Sequence, residues 1–361
     1  MSSPLVRRII VALAAAVGGL IVAETVLTAY VYWGRDPMEQ FDLSKGAYEL
    51  VPGEYRHARG EIRINSDGFV GPELGRAGAT GLRVVALGDS CTFGEGDGQH
   101  TYPAMLGRLL DEQRPGGFEV EVVNAGLSGI GSEQALRRLR NNVLPLSPDV
   151  VVVFIGWNDL MKYGPRAQSE QAWDGRLARS VDGLWLVRGL RKLYGYYLRP
   201  ALADPVTEPR ESAGPLDSLV PTYFERNLAA IVKDARGSGA SVVLATLPTR
   251  VHDGMTAAEL REAGVAFPYF VGGDVLGDFV DLIDAYNDAI RRVAHRHGVL
   301  VVDLAADFER EQLRAGYFWD AMHLTPRGMD RVARQLLPAV TAALNPAPSA
   351  LSPPAVARDS R

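Results

Sequence analysis

The chain has 361 residues, of which 47% are hydrophobic, and this suits one large globular domain with additional segments. Its formal net charge is -5 and charges of both signs are mixed along the chain, which excludes a bulk basic surface for nucleic acid. The single cysteine, Cys91, excludes an internal disulfide and a cysteine-based zinc site.

The N-terminus predicts a membrane anchor. Residues 9–33 are apolar apart from Glu24, and about 20 such residues suffice to cross a bilayer. Two arginines lie in residues 1–8 and aromatic side chains close the span, which favours a cytoplasmic N-terminus. We therefore expect a single-pass, uncleaved signal anchor with the remaining chain on the extracytoplasmic (periplasmic or extracellular) side. The alternative is a cleaved signal peptide with its apolar core at residues 9–23, but no small-x-small cleavage site follows.

After a Gly/Pro-rich connector at residues 34–81, apolar runs alternate with amphipathic stretches through residues 82–345. The pattern predicts five strands, LRVVALG, FEVEVVN, DVVVVFIG, SVVLATLP and VLVVDL, separated by helices. Such alternation indicates a three-layer α/β/α domain around a parallel five-stranded sheet. The last helix is predicted from Thr325 to about Leu344. Two long interruptions near residues 161–220 and 250–277 are interpreted as cap insertions, and residues 346–361 as a disordered tail.

Polar residues follow several of these strands. Ser90 ends Gly-Asp-Ser after the first strand, Gly129 lies in the loop after the second, and Asn158 follows the third. Asp320 and His323 lie in the loop after the fifth. Ligands of open parallel sheets bind at the carboxyl ends of the strands, so we expect these residues to meet there.

The four blocks VVALGDSCTFGEG, VVNAGLSGIGS, VVVFIGWND and DAMHLT together resemble the SGNH (GDSL-type) hydrolase family. The resemblance extends from Leu82 to about Leu344 and implies a flavodoxin-like hydrolase fold. One departure is Cys91, which stands where the family often has leucine or another apolar residue.

A Ser-His-Asp triad is expected from these residues. Ser90 is the candidate nucleophile, His323 the base that takes its proton, and Asp320 the carboxylate that orients the imidazole. The backbone N–H of Ser90, the N–H of Gly129 and the side-chain amide of Asn158 are the candidate oxyanion donors. Gly129 is assigned by its match to the second block of the family, with Gly126 as the alternative.

Neighbouring residues have other interpretations. Asp89 is expected to shape the turn, and Asp159 to tether a neighbouring loop. A thiol nucleophile at Cys91 is disfavoured because its side chain should face away from Ser90, and His57 and His100 are the alternative bases.

The function predicted is a serine ester hydrolase of esterase or deacetylase type. Its substrate would be a small-molecule, glycan or lipid acyl ester, with the cell envelope as the expected setting. One alternative is an O-acyltransferase that uses the same triad to pass the acyl group to a sugar or lipid hydroxyl. A second is a non-catalytic envelope binding or assembly protein. The sequence implies no metal, no organic cofactor and no nucleic-acid partner, and it leaves the oligomeric state open.

Overall fold

A computed structural model gives the architecture of the chain. It describes residues 4–33, 38–42, 47–57, 60–75, 81–94, 98–113, 117, 119–163, 221–252, 254–256, 259, 262–263, 276–309 and 314–345. The predicted tail, and most of both predicted cap insertions, lie outside these ranges.

Helix α1 occupies Pro4–Trp33 and covers the predicted anchor. Its described apolar side chains are open to the surroundings, with Val17, Leu20, Ile21 and Val22 each 55–62% exposed. Counting only the residues whose placement is described, no helix has a stretch long and apolar enough to cross a membrane.

The centre of the fold is a parallel sheet of five strands, as predicted. The strands are β5 (Gly81–Gly88), β6 (Glu119–Asn124), β7 (Val150–Phe154), β8 (Ser241–Ala245) and β9 (Leu300–Val302), in the order β6-β5-β7-β8-β9. Every residue of β7 is buried, because helices cover both faces of the sheet. This is the flavodoxin-like order. The second strand is added on one side of β5 and the later strands on the other, so the order of the strands reverses between β5 and β7.

Helices flank the sheet on both sides. They are α2 (Ser90–Phe93), α3 (Tyr102–Gln113), α4 (Ser132–Arg138), α5 (Trp157–Tyr163), α6 (Thr222–Gly237), α7 (Leu276–His297), α8 (Leu304–Glu309) and α9 (Pro326–Leu344). Helix α3 packs against α9, whereas α6 contacts both α4 and α7. Helix α9 begins where predicted: the Thr325 hydroxyl accepts the N–H of Gly328 at 3.2 Å, and Pro326 occupies the first turn.

The segment before β5 is more than a connector. It forms two antiparallel hairpins, β1 (Glu39–Asp42) with β2 (Ala47–Leu50) and β3 (Gly53–His57) with β4 (Gly60–Ile64). Ile62, Ile64 and Phe69 are buried in the same hydrophobic core as the sheet. The Val70 N–H donates to the carbonyl of Asn124 at 3.2 Å, so this segment also adds to the β6 edge.

A buried arginine ties this segment to the loop after β6. The guanidinium of Arg138 donates to the carbonyl of Ala125 at 2.8 Å and to that of Gly68 at 3.0 Å, and it lies over the ring of Phe69. Burial lowers the pKa of Arg138 to about 10, so the side chain stays cationic at neutral pH. Nothing in the sequence pattern indicates this contact, because Arg138 lies among other arginines in a stretch with the period of an amphipathic helix.

Candidate active site

Ser90 lies at the sharp turn between β5 and α2. Asp89 is the N-cap of α2, and its Oδ1 accepts the N–H of Cys91 at 3.0 Å, so it shapes the turn as predicted. Glycine is needed at position 88, because a Cβ there would collide with the hydroxyl of Thr92 and the carbonyl of Phe154. The turn presents Ser90 with only 7% of its surface exposed.

The structure brings Ser90, His323 and Asp320 into one hydrogen-bonded chain. The Oγ of Ser90 lies 2.9 Å from Nε2 of His323, and Nδ1 of His323 lies 2.7 Å from Oδ2 of Asp320. The Asp320 carboxylate can only accept a hydrogen bond, so the proton of the neutral ring lies on Nδ1. This leaves Nε2 as the acceptor that faces the Ser90 hydroxyl. This arrangement is able to move a proton off Ser90 and stabilise the resulting imidazolium.

Asp320 also organises the loop that carries His323. Its Oδ1 accepts the backbone N–H groups of Met322 at 2.9 Å and His323 at 2.8 Å. Burial raises the pKa of Asp320, but hydrogen bonds from the His323 ring and these two N–H groups outweigh burial and leave the pKa below its ordinary value. The loop is closed by the Trp319 N–H, which donates to the carbonyl of His323 at 2.7 Å.

The three predicted oxyanion donors come from separate elements. Ser90 is the first residue of α2, where a backbone N–H has no carbonyl of its own helix to bond. Gly129 is exposed in its loop with φ +73°, a conformation that favours glycine. The Nδ2 of Asn158 is buried and has no hydrogen-bond partner among the described residues. An orphaned buried donor is costly unless a ligand uses it.

The alternative donor, Gly126, has a different role. Its N–H already donates to the side chain of Asn124 at 3.0 Å. A Cβ at this position would collide with the backbone of Phe93, so glycine allows α2 to approach the loop.

Asp159 tethers a neighbouring loop, as predicted. Its carboxylate accepts the N–H of Ser132 at 2.7 Å and the hydroxyl of Ser132 at 2.6 Å. Sequence reasoning missed Ser132, which reads only as the first residue of a helix.

A second carboxylate lies beneath the candidate nucleophile. Asp89 is fully buried, its Oδ2 has no hydrogen-bond partner among the described residues, and burial raises the pKa of Asp89 to about 6. The hydrogen bond from the Cys91 N–H, the nearby His323 and the nearby N–H of Gly156 oppose that rise, whereas the charge of Asp159 adds to it.

The thiol of Cys91 is buried against the main chain of the loop that carries His323. Cys91 is fully buried, and its Sγ is directed at the carbonyl of Met322 at 3.5 Å. Of the alternative bases, His100 lies in the turn Gly98–His100 and is exposed, and the side chain of His57 lies outside the described part. Within the described ranges, no cluster of three or more His, Cys, Asp or Glu side chains is arranged to hold a metal ion.

Comparison with known proteins gives one family. Residues 86–331 match the model of the GDSL-like Lipase/Acylhydrolase family. No curated protein matches the chain.

Several solved structures are similar in shape. A lipase/acylhydrolase from Enterococcus faecalis is 18% identical with a TM-score of 0.44, over 72% of this chain and 96% of its own. The acetyl xylan esterase AlAXEase is 18% identical with a TM-score of 0.44, over 72% and 100%. An alpha/beta hydrolase from the metagenome of Lake Arreo, Spain, is 24% identical with a TM-score of 0.44, over 75% and 100%. Similarities this distant carry no functional argument here.

We expect His323→Ala to remove nearly all turnover, because no other described side chain is placed to take the Ser90 proton. Asp320→Ala should retain at least roughly tenfold more kcat, since the carboxylate orients and stabilises the ring but does not transfer the proton. The measurement is kcat on a short activated ester, with thermal unfolding of both variants as a control. Because Asp320 also binds two backbone N–H groups, its alanine variant should melt at a lower temperature than the wild type. Equal loss of kcat in two folded variants would contradict the orienting role.

A pH dependence of stability follows from Asp89. Between about pH 4 and pH 6 the folded protein holds a proton on Asp89 that the unfolded chain, with a pKa of 3.8, has released. The free energy of unfolding therefore falls as the pH rises through this window, by up to about 3 kcal/mol. Asp89→Asn keeps an oxygen acceptor for the Cys91 N–H and removes the charge. Chemical denaturation at pH 4 and pH 8 should show the variant gaining stability over the wild type only at pH 8, and an unchanged difference at the two pH values would refute the assignment.

Proposed function

We propose a catalytic mechanism for this chain, which belongs to the GDSL-like lipase/acylhydrolase family and is a carboxylic ester hydrolase. Ser90 is the nucleophile, His323 the general base and acid, and Asp320 the residue that orients the imidazole. The observation that carries this proposal is the continuous hydrogen-bonded chain from Ser90 Oγ through both ring nitrogens of His323 to Asp320, at 2.9 Å and 2.7 Å.

In the first half of the reaction, Ser90 Oγ attacks the ester carbonyl carbon while its proton passes to Nε2 of His323. The carbonyl oxygen becomes an oxyanion and accepts hydrogen bonds from the N–H groups of Ser90 and Gly129 and from the Nδ2 of Asn158. When the tetrahedral intermediate collapses, His323 gives the proton to the leaving alcohol and the acyl group stays on Ser90.

In the second half, water takes the place of the alcohol. His323 removes a proton from water as its oxygen attacks the acyl-enzyme, and the same proton returns to Ser90 Oγ when the carboxylic acid leaves. Asp320 stabilises the imidazolium in both halves. Its lowered pKa keeps it ionised at neutral pH, the state that this role requires.

The proposed substrate is an acyl or acetyl ester of an envelope glycan or lipid. One feature near the site supports a substrate with a flat or apolar part. Trp319, which directly precedes Asp320, is 47% exposed although tryptophan usually buries most of its surface. An exposed indole beside the site offers a face on which a sugar ring or an acyl chain can pack.

The test of the nucleophile is Ser90→Ala. This variant should lose hydrolysis of a short activated ester and labelling by a fluorophosphonate probe, because both require the Ser90 oxygen. Cys91→Ser is the matched control, since it changes the adjacent residue and should keep both activities. Retention of activity within tenfold of wild type in Ser90→Ala, or its loss in Cys91→Ser, would overturn the proposal. Adding a sugar acceptor tests the acyltransferase alternative, because ester formed on the sugar in place of free acid would identify transfer.

We also propose that α1 anchors the enzyme in a membrane with the catalytic domain on the extracytoplasmic side. The support is the apolar sequence of residues 9–33, the preceding arginines, and a continuous helix of 30 residues with exposed valine, leucine and isoleucine side chains. A helix of 30 residues is about 45 Å long, which exceeds the thickness of a bilayer core, although the residues whose placement is described include no span that is long and apolar enough by itself.

A reporter fused after Leu344 should therefore be active only if it is a type that needs export, such as a phosphatase that requires disulfides. The same fusion to a reporter active only in the cytoplasm is the control, and it should be silent. Activity of the cytoplasmic reporter would reverse the orientation. Release of the domain with a new N-terminus near Glu24 would instead indicate the cleaved signal peptide.

A further inference from the structure

We infer that Asp159 is a positioning residue that fixes the loop bearing Gly129 relative to the turn bearing Asn158, and so sets the geometry of the oxyanion site. This inference rests on the proposed function, because it concerns how two of the proposed donors are held. Asp159 acts through Ser132, whose N–H and hydroxyl both donate to its carboxylate.

The two loops need a connection of this kind because of the strand order. Gly129 follows β6 and Asn158 follows β7, and β5 lies between these strands. Both strands pair with β5 but not with each other, so the segments that follow them can be held directly to one another only by contacts beyond the strand ends. A misplacement of about 1 Å in a catalytic group can cost roughly 100-fold in rate.

Asp159 supplies such a contact with both carboxylate oxygens. Oδ2 accepts the backbone N–H of Ser132 at 2.7 Å, and Oδ1 accepts the Ser132 hydroxyl at 2.6 Å. Asp159 is 1% exposed and Ser132 is 0% exposed, so water does not compete for these bonds. We call this pair of hydrogen bonds between Ser132 and Asp159 the clamp. Asn158 directly precedes Asp159, and Gly129 lies three residues before Ser132, so one donor is close in sequence to each end of the clamp.

The surroundings leave the clamp little freedom. The Nδ2 of Asn227, on α6, donates to the Ser132 hydroxyl oxygen at 3.0 Å, which directs the hydroxyl proton towards Asp159. Gly131 is also constrained, because a Cβ at this position would lie 3.0 Å from the Asp159 carboxylate. The carboxylate thus fills the space between the two loops.

The chemistry requires a carboxylate at position 159. Ser132 presents two donors, its N–H and its hydroxyl, and both need acceptors. Asparagine has nearly the same shape, but its NH₂ group would face one of these donors and leave it unsatisfied in a buried site. Asp159→Asn is therefore a small change that breaks the clamp.

The experiment compares Asp159→Asn with wild type on a short activated ester. We expect kcat to fall roughly 10- to 100-fold with KM changed less than threefold, which is below the loss reported for removing a whole oxyanion donor. Affinity for a boronic acid, which forms a tetrahedral adduct on the serine, should fall by a factor similar to that for kcat/KM. A change that only loosened the fold would not produce this proportionality.

Asp149→Asn is the matched control. Asp149 precedes β7 at the amino-terminal ends of the strands, away from the site, and its exposed carboxylate accepts the N–H of Arg83 through Oδ2 at 2.7 Å, the same type of bond. This variant should keep wild-type kcat. If Asp159→Asn fails to fold, Ser132→Ala removes only the hydroxyl half of the clamp, and it should lower kcat by a smaller factor in the same direction.

A double-mutant cycle with Asn158→Ala decides whether Asp159 acts through the oxyanion site. If it does, Asp159→Asn should cost much less in the Asn158→Ala background than in wild type, because the donor it positions is already gone. Equal losses in both backgrounds, or a kcat of Asp159→Asn within twofold of wild type, would overturn the inference. Failure of the proposed function has a different signature, because Ser90→Ala would then remain active.

Discussion

The candidate site depends on one constraint, the double pairing of β5 inside the parallel sheet. Val84, Val85 and Ala86 pair with β6 on one side and with β7 on the other, and all three are fully buried. Because β5 cannot shift without breaking two ladders and exposing apolar side chains, the turn at its end is fixed. Ser90 occupies that turn, at the point where the strand order reverses and a crevice opens between the loops.

The remaining site residues are held by hydrogen bonds within and between the segments that follow the strands, rather than by the ladders of the sheet. Asp320 binds two N–H groups of its own loop as well as the His323 ring. Asp159 joins the first turn of α5 to the start of α4. Each carboxylate accepts at least two hydrogen bonds, which offsets the cost of placing charge away from water.

The buried polar groups fall into two classes with different consequences. The carboxylate of Asp159 accepts two hydrogen bonds, and Nε and Nη2 of Arg138 donate one each, so both groups stabilise the segments they join, although Nη1 of Arg138 has no hydrogen-bond partner among the described residues. The Asp89 Oδ2 and the Asn158 Nδ2 lack partners among the described residues and reduce stability as they stand. Asp89 directly precedes the candidate nucleophile Ser90, and Asn158 is itself a candidate oxyanion donor. Unsatisfied polar atoms of this kind are expected where a protein retains a binding site at some expense in stability.

The sequence by itself determined the parallel sheet, because the fully apolar run in β7 and the regular alternation with amphipathic helices have few other solutions. It also determined which residues stand at the strand ends, since short motifs such as Gly-Asp-Ser and Asp-x-x-His keep their positions relative to the strands. Tertiary structure decided the rest. The burial of the segment before β5, the Arg138 contact with Gly68 and the Asp159 clamp on Ser132 all depend on residues of different elements that are distant in the chain. The period of a sequence pattern reflects a single helix or strand, so the pattern indicates which face of that element is apolar. It does not indicate which polar side chains of other elements will contact that element.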